Sequence, residues 1–215
     1  MKKGREGVLS TASSLAEYKH IFTNVGWDTG LVGGGTVNLF PFGCHCVTAA
    51  GASSTRAWVA MHGLGQGGPI TRIDWDRKLY VMFSIMRTND VATAQASTLL
   101  SESAMVGDIA AQGIGIEIEN LTLWGVSWGA GAARAVVDLG TLMVDSQQYD
   151  IVIIHDPSVP SIEWYVNQVL SGTQITANNI PAGLAAGPCY FKTDILTLGG
   201  LVAYWIAGTV ILQEV

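Results

Sequence analysis

The chain has 215 residues, a length that suits one β-sandwich domain, with a formal net charge of −6, 13% charged residues, 26 glycines and seven tryptophans. A soluble monomer usually carries about 25% charged residues, so this low charge and a positive mean hydropathy point to an exterior partly covered by other copies or other proteins. The acidic balance argues against a nucleic-acid binder, which needs clustered lysine and arginine.

The first segment, MKKGREGVLSTASSLAEYKH, is basic at its start but has no continuous apolar stretch after the lysines. It does not read as a secretory signal peptide. Residues 1–25 are expected to be an N-terminal arm or docking segment, mobile or carrying a short helix around Ser13–Ile21 capped by Ser13 or Ser14. Residues 26–215 are expected to form a single sandwich domain.

Glycines at 26, 30, 33, 34, 35, 43 and 51 break the next stretch into short strand-like runs at Thr36–Phe40 and Cys44–Ala49. The GGGT at 33–36 has no following G-K-S/T, so it is not a phosphate-binding loop. Three cysteines give no even-numbered disulfide framework, and Cys44-His45-Cys46 is too tightly spaced for a zinc site and lacks a fourth ligand. Buried or free thiols in a reducing compartment are the expectation, with no metal and no cofactor.

Thr55–His62 and Lys78–Arg87 read as strands. In LYVMFSIMR the residues Leu79, Val81, Phe83 and Ile85 share one face, while Tyr80, Met82, Ser84 and Met86 share the other. A central strand, at least partly buried on both faces, is the natural assignment. Asp90–Gln112 is ambiguous between a helix over Val91–Leu100 and a strand plus loop; the strand is preferred. GIGIEIEN, LTLWGVSW and ARAVVDLGTLMV then give three more strands, separated at Asn120 and at the GAGA turn 129–132.

Residues 147–181 form the most legible stretch. Tyr149–Ile154 is apolar and β-branched, Asp156-Pro157 and Pro160 close it, Ile162–Asn167 alternates, and Val169–Ile175 follows at once. Ile162, Trp164 and Val166 fall on one face; Glu163, Tyr165 and Asn167 fall on the other. The reading is an antiparallel meander with a corner at Asn167-Gln168 and a bulge or turn at Gly172.

The run IEWYVNQVLSGTQITANNIP resembles the hairpin of concanavalin A-like (laminin-G-like) jelly-roll sandwiches, found in phage and virus structural proteins, lectins and some glycosidases. YDIVIIHD is similar to the strand preceding that hairpin, and GPCYFKTD and AYWIAGTVILQEV are similar to the closing segments. The resemblance covers residues 75–215 and implies an all-β, antiparallel two-sheet jelly roll. Gln168 stands where the family often has Gly, which bears on the turn type but not on strand order.

Three other readings compete. GVSWG (Gly125–Gly129) matches the G-x-S-x-G elbow of α/β-hydrolases, and HGLGQGG (His62–Gly68) looks like their oxyanion loop. Ser127 would then need a later acid and histidine, yet the last histidine is His155, which leaves no room for both loops. Glu117 and Glu119 share a strand face, as a glycosidase pair must, but laminarinase-like sandwiches carry E-x-D-x-E and Gly115 fills the first position here. Finally, Ile195–Leu212 is long enough without charge to span a bilayer as a helix; its glycines, β-branched ending and Glu214 favour buried strands.

The sequence therefore predicts a non-enzymatic structural or assembly protein, most naturally a phage or virus capsid, decoration or fibre component. Homo-oligomerisation and contacts with other virion proteins are expected, without membrane insertion and with assembly in a host cytoplasm. The alternative is a glycan-binding, lectin-like module for host-surface attachment. Trp124, Trp128, Trp164, Tyr165 and Asn167 are its candidate residues, because aromatic rings stack on sugar faces and amides bond hydroxyls. For each of them, a place in the core or an interface is the competing reading, and no calcium cluster is evident.

Overall fold

Alternation of apolar and polar residues, interrupted by glycine and two-residue turns, produces strands throughout. The computed structural model describes residues 16–21, 27–32, 34–40, 43–48, 55–61, 73–87, 95–102, 112–132, 134–185, 189–197 and 203–214. The oxyanion-like segment 62–68 and residues 1–15 lie outside them. Fifteen strands are present among the described residues: β1 (Ala16–Ile21), β2 (Trp27–Val32), β3 (Gly35–Phe40), β4 (Gly43–Thr48), β5 (Thr55–Met61), β6 (Leu79–Arg87), β7 (Gln95–Ser101), β8 (Gly113–Glu119), β9 (Thr122–Trp128), β10 (Ala135–Leu142), β11 (Gln148–Asp156), β12 (Ser161–Val166), β13 (Val169–Gln174), β14 (Tyr190–Thr197) and β15 (Ala203–Glu214).

They form two antiparallel sheets. One runs β13-β12-β11-β6-β15-β4-β3, with β1 paired to the C-terminal half of β15; the other runs β10-β9-β8-β7-β14-β5-β2. The expected all-β two-sheet sandwich is therefore the observed architecture. Ala16–Ile21, for which a short helix is one expectation, is a strand paired with Thr209–Glu214, so a helix over these residues is overturned. Ile195–Leu212 is divided between β14 and β15. Among the described residues no helix is long and apolar enough to cross a membrane.

The core lies between the sheets, where period-two patterning sends it. Leu79, Val81, Phe83 and Ile85 of β6, Tyr149, Ile151 and Ile153 of β11, and Ile162, Trp164 and Val166 of β12 face Ala96, Leu100, Ile114, Ile116, Ile118, Leu123, Phe191 and Ile195. Phe83 meets Phe191 edge-on at 5.4 Å between centroids, a geometry favoured by the ring quadrupoles. Thr98 and Thr193, buried side by side on the second sheet, satisfy each other through a 2.9 Å hydroxyl pair.

The β12–β13 hairpin keeps its two-residue turn in spite of Gln168. Asn167 and Gln168 both have positive φ, 51° and 69°, the signature of a type I′ turn. Asn167 holds the corner by accepting the Asp150 amide on its Oδ1 at 2.9 Å. Beyond the turn the register slips between Trp164 and Tyr165, leaving a bulge beside Gly172 as the sequence indicates. Gly172 also lets Val137 and Leu139 of β10 pack against β13, which closes one side of the sandwich.

Candidate functional site

The outer face of the seven-stranded sheet carries a polar and aromatic row that only strand register brings together. Gly30, Trp58, Asp194, Ser97, Glu117, Trp124 and Asp138 stand opposite one another across β2, β5, β14, β7, β8, β9 and β10. At the usual spacing between strands, Trp58 and Trp124 sit roughly 19 Å apart along this row. The next row toward one end places Gln95 opposite Glu119, and Gln95 Nε2 donates to Glu119 Oε1 at 3.3 Å.

This face is half covered and half open. On the covered half Leu99, Val126 and Trp128 form a small buried cluster separate from the main core, and Ser101 and Lys192 are buried with them. Glycines make the room: a Cβ at Gly113 would stand 2.5 Å from Trp128 Cζ2, and one at Gly115 would stand 2.7 Å from Leu99 Cδ2. On the open half Ser97, Glu117 and Trp124 are half-buried, while Gln95, Glu119 and Asp138 are exposed.

Three features give the open half its chemistry. Arg134 forms an ion pair with Glu117, so that carboxylate is matched by a guanidinium; partial burial lowers the Arg134 pKa from its ordinary value. The Trp124 indole stands beside this pair, partly exposed, with its Nε1 shielded from solvent and without a hydrogen-bond partner. Such an unmade bond to a buried donor carries a desolvation penalty, while the rest of the indole is left partly exposed. Ser97, Gln95, Thr122 and Asp138 add short hydroxyl, amide and carboxylate groups around it.

The five residues singled out for sugar binding separate. Trp124 lies on the open row. Trp164 is fully buried in the core, its Nε1 donating to the Gly115 carbonyl at 2.8 Å, and Trp128 is buried in the covered cluster. Neither ring is available to stack on a sugar, which corrects both assignments. Tyr165 is on the opposite outside, the outer face of the eight-stranded sheet, where its hydroxyl donates to Glu163 at 2.8 Å. Asn167 is spent on the hairpin corner of that sheet. Sequence reasoning missed Ser97, Arg134 and Asp138 because they enter from three separate strands or turns; the alternation of Gly115, Glu117 and Glu119 was the visible signal for the face itself.

The structure also explains the two catalytic look-alikes. In GVSWG, Gly125 leaves room for the Trp164 ring, Ser127 is buried on the core side with its Oγ unpartnered, and Gly129 packs against the carbonyls of Asn178 and Ile180. Each glycine answers a packing need, and Ser127 faces no solvent. In GIGIEIE, the position that holds a carboxylate in E-x-D-x-E is Gly115, and Leu99 lies over it.

His155 is buried at one end of the eight-stranded sheet, stacked on Trp75 at 5.8 Å between centroids. Its Nε2 donates to the Pro181 carbonyl at 2.9 Å, which fixes the tautomer and leaves Nδ1 buried without a partner. Burial lowers its pKa to about 4. Trp75 in turn donates to Glu102 at 2.9 Å, and Gln112 bridges Glu102 and Ala182. These contacts tie the segment Ile73–Trp75 to Pro181–Ala185; they are structural.

No protein-family model matches the chain, and no curated protein matches it in sequence. Solved structures match it in shape. It is similar to a β-glucanase of Bacillus licheniformis, with a TM-score of 0.58 and 14% identity over 93% of this chain and 97% of that one. It is similar to the carbohydrate recognition domain of Emp47p, with a TM-score of 0.60 and 10% identity over 94% and 98%. A third likeness is to a carbohydrate esterase from the Shiga toxin-encoding bacteriophage phi24B, with a TM-score of 0.55 and 13% identity over 93% and 99%. At these identities the likeness is one of fold: the chain is a concanavalin A-like jelly-roll sandwich.

Proposed function

We propose that this chain is a non-enzymatic glycan-binding sandwich whose site is the open half of the outer face of the seven-stranded sheet. The observation that carries the reading is Trp124, a partly exposed ring, set in one row with Ser97, Glu117 and Asp138. An aromatic face with convergent short polar groups is what a pyranose ring and its hydroxyls require. The three proteins it resembles, a β-glucanase, a carbohydrate recognition domain and a carbohydrate esterase, support the same ligand class by name.

Two features of the site favour binding without turnover. A retaining glycosidase needs two carboxyl groups about 5 Å apart, one of them a free nucleophile. Here Gly115 supplies none and Arg134 engages Glu117. A glycan array probed with the full chain tests the reading. Saturable binding that is lost in Trp124→Ala, with circular dichroism unchanged, supports it; absence of binding to every glycan on the array removes it.

Assembly is the second reading, and one observation favours it. Val136 and Leu142 of β10, Val144 just after it, Val169 and Leu170 of β13, and Ile175 are all large apolar residues left exposed. They surround the place where β10 and β13, the end strands of their sheets, come together. Exposed strand edges with uncovered apolar side chains pair readily with another copy, and a capsid, decoration or fibre component in a virion would use them so while presenting the glycan site outward. Light scattering tests this: a higher-order species that becomes a monomer in Val169→Lys/Leu170→Lys supports assembly, and a wild-type monomer at high concentration opposes it.

A further inference from the structure

The open half of the seven-stranded face carries more acid than base, and that imbalance bears on which sugars it accepts. Its described cation, Arg134, is already engaged by Glu117. Glu119 receives only the neutral Gln95 amide, and Asp138 Oδ1 accepts the backbone amide of Gly140 within its own strand. Among the described side chains, the open half thus sets Glu117, Glu119 and Asp138 against the single guanidinium of Arg134, while Lys192 is buried under the covered half.

Resting on the glycan-binding reading above, we infer that this site takes neutral glycans and rejects those bearing uronate, sulfate or sialate groups. The sugar contributes hydroxyls as donors to Glu119 and Asp138 and as an acceptor for Ser97, with its ring face against the Trp124 indole. A ligand anion would find no guanidinium free among the described side chains of the open half, and would stand near Glu119 and Asp138, which pair with no described cation. Discrimination between ligands comes as readily from such repulsion as from added attraction. Like charges about 10 Å apart near a surface correspond to roughly a tenfold loss of affinity for one extra ligand charge.

The test is one glycan array carrying neutral oligosaccharides beside their uronic-acid, sulfated and sialylated counterparts, probed with the full chain and with Glu119→Gln/Asp138→Asn. The expected result is binding to neutral glycans, roughly tenfold weaker signals for the acidic counterparts, and a narrower gap in the double variant and at high salt. Binding led by acidic glycans, and abolished by Trp124→Ala, overturns the charge inference and leaves the glycan reading intact. No binding to any glycan removes the reading and the inference with it.

Discussion

The indole of Trp164 occupies the space that a side chain at Gly125 would need: a Cβ there would stand 2.6 Å from Trp164 Cδ2. Across the interior, the same indole donates to Gly115 on the facing sheet. This pair locks the two sheets together at the centre of the sandwich. A methyl at position 125 has to displace a fully buried ring, and overpacking of this kind costs about 1–3 kcal/mol. Gly125→Ala is therefore expected to lower the urea midpoint with little change in the slope of the transition, and Trp164→Ala to cost about 3–5 kcal/mol through the cavity it leaves. Urea unfolding followed by circular dichroism measures both; unchanged stability in Gly125→Ala contradicts this packing.

Much of this arrangement was legible in the sequence. Alternation in LYVMFSIMR and IEWYVN named the strands, their buried faces and the central position of β6, and the corner at Asn167-Gln168 is where the chain turns. The site was less legible. Alternation shows that Trp124 and Trp128 share a face, but not that a small cluster buries Trp128 while Trp124 stays open. Nor does it say that Trp124 and Tyr165 end on the outer faces of different sheets. The row from Ser97 to Asp138 depends on the pairing of four strands, and pairing register is a property of the whole fold.

The type I′ turn offers a second check. Gln168 has a φ of 69°, a left-handed conformation that costs a residue with a Cβ roughly 1–2 kcal/mol and glycine little. Gln168→Gly is expected to stabilise the protein by about 1 kcal/mol, after the extra freedom glycine gives the unfolded chain is deducted. A thermal melt rising by about 2–4 °C is the readout for a domain of this size. A lower melting temperature would show that the Gln168 side chain contributes more than its backbone strain removes.

His155 gives the protein a pH dependence of predictable sign. Its folded pKa of about 4 lies below the ordinary 6.5, so the unfolded chain binds the proton more readily. Its contribution to stability is whole above pH 6.5 and is lost as pH falls from about 6.5 to about 4, by about 3 kcal/mol in all. His45, lowered by burial as well, acts in the same direction. Asp156, held at about 2 by its 2.7 Å bridge to Lys78 and by the Ser158 hydroxyl, adds a separate loss below pH 3.8. Denaturant titrations between pH 7 and 4 are expected to show falling stability, with a shallower slope in His155→Gln. An equal slope in that variant would assign the effect elsewhere.

The placement of the glycan site is read most directly by two-dimensional NMR of the tryptophan indole Nε1–H signals during titration with a neutral oligosaccharide that the array identifies. The Trp124 resonance, from the indole on which the sugar stacks, is expected to shift and saturate with the ligand, while the Trp164 and Trp128 resonances stay in place. Perturbation centred on Tyr165 and the eight-stranded face, or a Trp124 signal that does not respond to a ligand that binds, would contradict the account.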